Sequence, residues 1–156
     1  MRMYGDLVNG ICYTAFIPAY LWLWIGQDIS SIAGRNVTIA FSLTALLSWQ
    51  SYLKESPAIS TLACIGNACT IAFMNLYGWP HPDEIVVVPQ FLWSLLIASG
   101  NLKLPFRYKV AMGVISVVNA SIVVALTPLL HVIDALPILL GATSVFFMFH
   151  YYTDLM

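Results

Sequence analysis

LVNGICYTAFIPAYLWLWIGQ, residues 7–27, runs for 21 residues without an Asp, Glu, Lys, Arg or His. As a helix it is about 30 Å long, the thickness of a bilayer's hydrocarbon core. A charge at the bilayer centre costs about 2.5–3.5 kcal/mol on insertion scales, so runs free of charge mark candidate spans. Outward from this stretch, with charges allowed at the boundaries, the same criterion picks out 36–53, 57–79, 85–102, 109–130 and 134–153, the last interrupted by His150 near its end. The expected fold is all-α: a polytopic transmembrane bundle of six helices with short loops, forming a single integral-membrane domain over 1–156. Five crossings result instead if Pro128 and Pro137 kink one long helix.

Composition points the same way. Of 156 residues, 60% are hydrophobic and 8% charged, against roughly 25% charged in a soluble domain. The net charge of −1 is spread without an acidic or basic block, which argues against nucleic acid as a partner. Cys12, Cys64 and Cys69 are odd in number and make no secreted-type disulfide framework. Cys64 and Cys69, five apart, diverge by about 140° on a helix and give no metal clip.

The breaks carry turn chemistry. Lys54-Glu55-Ser56-Pro57 offers a proline to open the next helix, and Pro80 and Pro82 flank His81 before Asp83 and Glu84. With the N-terminus inside, Arg2, Lys54, Lys103, Arg107 and Lys109 fall on one side and Arg35 alone on the other. That bias places both termini in the cytoplasm, with a bacterial inner membrane as the default location. Tyr4, Trp79, Phe106, Tyr108, Tyr151 and Tyr152 suit interfacial belts.

Asn9, Asn67, Asn75 and Asn119 lie within apolar runs, where an unpartnered amide costs several kcal/mol. Asn67, Thr70, Asn75, Ser116 and Asn119 therefore become candidates for a solute path or for interhelical polar contacts. His81, Asp83, Glu84, His131 and Asp134 form a candidate outer cluster that draws cations to the mouth. His150 and Asp154, four apart, have the spacing of a helical pair. Pairs of small residues four apart, Ala15/Ala19, Ala68/Ala72, Ser94/Ala98 and Ser116/Ala120, allow close helix packing.

No nucleophile elbow, phosphate loop, zinc-protease helix or dinucleotide fingerprint occurs, so the expectation is a non-enzymatic protein without cofactor or resident metal. The leading expectation is a transport or channel component for a small solute or ion. The alternatives are an accessory or scaffold subunit of a larger membrane complex and, third, a phage holin-type lysis protein. The expected partners are the lipid bilayer and either other membrane subunits or further copies of the chain.

Overall fold

The computed structural model describes residues 3–26, 31–74, 87–101, 104–126 and 132–155. These contain six helices and no strand: α1 (Tyr4–Ile25), α2 (Ser31–Lys54), α3 (Pro57–Phe73), α4 (Val87–Gly100), α5 (Phe106–Leu126) and α6 (Val132–Leu155). Among the described residues α5 and α6 are separate helices, so the helices number six. α2 starts at Ser31 and takes Arg35 into the helix, because a charge marks where a helix can leave an apolar medium and not where its hydrogen bonds end. α6 likewise runs through Pro137 in its second turn. Among the described residues one helix is both long and apolar enough to cross a membrane, α5 over Phe106–Val123.

The α2–α3 turn follows from its residues. Glu55 adopts φ 51° immediately after α2, the left-handed conformation that commonly closes a helix. Ser56 then caps α3, its Oγ accepting from the Ile59 N–H at 3.5 Å, and Pro57 takes the first helical position, where its missing N–H breaks no bond.

α1 packs on α2 and α4, α3 on α2, α4 and α5, and α6 on α4 and α5. Tyr13, Tyr20, Val37, Phe41 and Ala45 form one core between α1 and α2. A second core, including Leu95, Ala98, Met112, Val123 and Phe146, joins α4, α5 and α6. α1 and α4 meet backbone to backbone: a Cβ on Gly5 would lie 2.0 Å from the Ile97 carbonyl oxygen, and one on Gly100 would lie 3.0 Å from the Gly5 Cα. Three of the four small-residue pairs turn inward, with Ala68, Ser94, Ala98, Ser116 and Ala120 buried, whereas Ala15 and Ala19 stay exposed. His150 is buried between Phe146 and Phe149 and reaches Ser99 of α4, Nε2 to Oγ 3.0 Å, so its hydrogen bond goes across the bundle and not along α6 to Asp154.

Candidate functional site

Four helices carry polar residues seven apart: Asp6 and Tyr13 on α1, Thr44 and Ser51 on α2, Ser60 and Asn67 on α3, and Ser94 on α4 with Asn101 immediately after its last residue. Seven residues are two turns less about 20°, so each pair shares a face with its members about 10 Å apart along the axis. Successive helices run antiparallel, and the four faces converge on one polar column. All eight residues are buried.

The column is built in layers. At the first, the Ser51 hydroxyl donates to the Asp6 carboxylate, the Asp6 backbone N–H donates to Asn101 Oδ1 at 3.0 Å, and Asn101 Nδ2 donates to Ser60 Oγ at 3.1 Å. One turn higher, Asn9 Nδ2 donates to Ser48 Oγ at 2.9 Å, and Trp93 Nε1 donates to Asn9 Oδ1 at 3.2 Å. In the third layer the Tyr13 hydroxyl donates to Asn67 Oδ1, and Asn67 Nδ2 donates to Ser94 Oγ at 2.6 Å. The Thr44 and Thr70 hydroxyls, 3.3 Å apart, bridge α2 and α3 beyond it. Their approach depends on Gly66, where a Cβ would stand 2.8 Å from Thr44 Oγ1.

Above these layers the interior turns aromatic. The Phe41 ring lies 5.4 Å from that of Tyr13 and 5.3 Å from that of Tyr20, both edge-on. The polar column therefore runs from the Asp6 end toward the middle of the bundle, and beyond it α1 and α2 pack through a cluster of rings. Inside the column, between α1, α3, α4 and α5, is a cavity of about 10 Å³, the room of a single water-sized sphere. Asp6, Asn9, Ser60, Asn67 and Ser94 border it together with Cys64, Ile97, Ala98 and Met112, and the surface turned to it is mostly apolar. A larger depression of about 540 Å³ lies between α2 and α3, with mostly apolar walls such as Ile39, Leu43, Leu62 and Ile65.

Two of the amides have their orientation fixed by partners that can only donate. The Trp93 indole N–H must meet an oxygen, as must the Asp6 backbone N–H, so Asn9 and Asn101 present Oδ1 to these groups and direct Nδ2 at serine hydroxyls. One N–H of each amide is thereby used, leaving each with a second N–H and a second lone pair on its oxygen. Among the described residues no basic side chain forms an ion pair with Asp6, and its one side-chain donor is Ser51.

Of the residues singled out from sequence, Asn67 and Thr70 stand in the column. Ser116 is buried on α5 but gives its hydroxyl to its own helix, at the Met112 carbonyl 2.9 Å away, and Asn119 is half-buried on the same helix. Asn75, His81, Asp83, Glu84 and His131 lie outside the described residues, and Asp134 is in the first turn of α6. Asp6, Ser51, Ser60 and Asn101 were not anticipated, although the seven-residue spacing on four consecutive helices marks them. Among the described residues no group of three His, Cys, Asp or Glu side chains gathers as a metal site. Comparison with family models, with curated proteins and with solved structures finds no match to this chain.

Proposed function

We infer that the chain is an integral membrane bundle that conducts or carries a small polar solute or ion through the α1–α4 column. One observation carries this reading: the molecule buries a column of polar side chains while leaving many large apolar ones exposed. Trp22, Ile25, Leu53 and Val145 are 77, 77, 74 and 68% exposed, while Asp6, Asn9, Asn67 and Asn101 are at most 3% exposed. Water would reverse that distribution, and a lipid surround favours it. Lys54, Arg107 and Lys109 sit at the Asp6 end and Arg35 at the other, which supports a cytoplasmic Asp6 end. Tyr4, Tyr151 and Tyr152 are exposed around that same end, at headgroup depth for this orientation.

A column lined by hydroxyls and amides, with a cluster of rings beyond one end, is the layout of an occluded pathway. The test is reconstitution into liposomes, with swelling measured for small neutral polyols and amides and tracer flux for alkali cations. At least one solute is expected to cross faster than in empty vesicles, and Asn67→Leu is expected to slow it about tenfold, the equivalent of ~1.4 kcal/mol. Permeability equal to that of empty vesicles for the whole panel overturns the reading.

Ala15 and Ala19 favour a second reading, that of an accessory subunit, because theirs is the small-residue pair that α1 leaves exposed and it suits close approach by another helix. Particle mass after extraction from the native membrane in mild detergent separates the two. A stable assembly with other chains supports the subunit, and a particle of this chain alone supports the carrier.

A further inference from the structure

The depression of about 540 Å³ between α2 and α3 is ordered along its length. Asn36, the one amide in its wall, stands at one end, and the neighbouring Arg35 is exposed. Beyond them the walls are apolar. Ile39 and Leu43 of α2 and Leu62 and Ile65 of α3 stand exposed along the groove, and the small Ala40 and Gly66 leave the space between them. Leu47, the last wall residue on α2, lies 11 residues beyond Asn36, and on the antiparallel α3 Leu62 lies equally far from Phe73. That span is a rise of about 16 Å. It is half of the ~30 Å hydrocarbon core, the depth of one leaflet.

We propose that this groove holds one phospholipid of the leaflet at the Arg35 end, with an acyl chain laid between α2 and α3 and the phosphate held by Arg35. The inference rests on the membrane part of the reading above and not on the polar column. Three features select the occupant. Guanidinium and amide at the mouth, followed by a leaflet's depth of apolar wall, repeat the order of phosphate, ester and hydrocarbon in a phospholipid. Arg35 is suited to the phosphate: its planar fork of donors matches the phosphate oxygens, and among the described residues no carboxylate forms an ion pair with it. Helical side chains lean toward the helix N-terminus, so Arg35 in the second turn of α2 is directed to the membrane surface. A second copy of the chain fits less well. Seated on the same groove about a twofold axis, it would set two Arg35 guanidiniums side by side.

Lipid tails are as apolar as the groove walls, so water exclusion does not hold the chain there. What retains it is dispersion contact in a space whose lining otherwise lacks partner atoms, together with the charged contact at the mouth.

The test is titration of the full chain, purified in mild detergent and stripped of lipid, with phosphatidylglycerol, while native mass spectrometry counts lipids per chain. A first lipid is expected to bind at a concentration about tenfold or more below the next. Arg35→Gln is expected to raise that first concentration about threefold or more, and so is diacylglycerol, which has the chains without the phosphate. Leu43→Trp, which puts an indole into the groove from an exposed position, is expected to raise it about tenfold, whereas Val145→Trp on the exposed face of α6 leaves it unchanged. Lipids that add in an unbroken series overturn the proposal, as does a Leu43→Trp chain that binds like wild type or diacylglycerol that binds as tightly as phosphatidylglycerol. A stripped particle of two chains that Leu43→Trp separates overturns it in favour of a second copy in the groove. A chain that is monodisperse without detergent removes the membrane reading and the proposal with it. One that needs detergent yet shows no preferred first lipid overturns the proposal alone.

Discussion

Phe41→Ala is expected to lower stability by about 3–5 kcal/mol, the range for truncating a fully enclosed aromatic ring. Phe41 is 2% exposed and touches the rings of Tyr13, Phe16 and Tyr20, so its removal leaves a hole bounded by three groups that cannot all collapse into it. At about 2–4 °C per kcal/mol for a chain of this size, the loss shows as a fall in Tm of roughly 6–20 °C. Phe41→Leu, which keeps most of the volume, is expected to cost far less. The two variants also separate packing from gating. If the ring cluster closes the column, vesicles containing the Ala variant leak small ions while the Leu variant stays close to wild type. A Phe41→Ala protein as stable as wild type would show that these rings do not form a core.

Gly5→Ala is the second change with a large expected effect. The added methyl would meet the Ile97 carbonyl oxygen at 2.0 Å and Asn101 Oδ1 at 2.8 Å. The first of these is backbone and has no rotamer to change. α1 must move away from α4, which also pulls the Asp6 N–H from Asn101. Overpacking of this kind costs about 1–3 kcal/mol, and the lost bond places the expected value at the top of that range. Gly141→Ala is the control, since nothing stands within 4 Å of its Cβ position. That change is expected to be neutral or stabilising by about 0.5–1 kcal/mol, from helix propensity alone. Equal unfolding midpoints for the two variants would mean that α1 and α4 do not cross at Gly5.

Helices were legible because they depend on local chemistry. Uninterrupted apolar runs and the Pro57 opening needed no knowledge of neighbours. The exact start of α2 was not legible, since Arg35 is a good helix residue that happens to be charged. The polar column was legible in part. An amide within an apolar run must find a partner, and that rule located Asn67. It could not tell Asn67, which reaches Tyr13 and Ser94, from Asn119, which is half-buried on α5, because the difference lies in which face each helix turns to the others. Asp6 and Asn101 lie at helix ends, where the sequence alone gives no reason to expect burial. The bundle closes over that end, and each is at most 1% exposed. Ser51 and Ser60 attract no notice singly, and their meaning emerges only when helices are laid antiparallel and the seven-residue spacings align.

That alignment makes the four helices behave like a tumbler lock. The bonded residue numbers on α3 and α4 add to 161 at both levels, Ser60 with Asn101 and Asn67 with Ser94, and those on α1 and α2 add to 57, Asp6 with Ser51 and Asn9 with Ser48. Sliding one helix by a turn, about 5.4 Å, breaks its bonds at every level together. Screwing it by one residue swings the whole polar face by about 100°. Partial slippage therefore keeps no subset of bonds, and a single-residue insertion between two levels sets one half of a helix against the other. Polar groups that contribute little individually to stability thus fix the helical register as an all-or-none property, much as a buried asparagine does in a coiled coil.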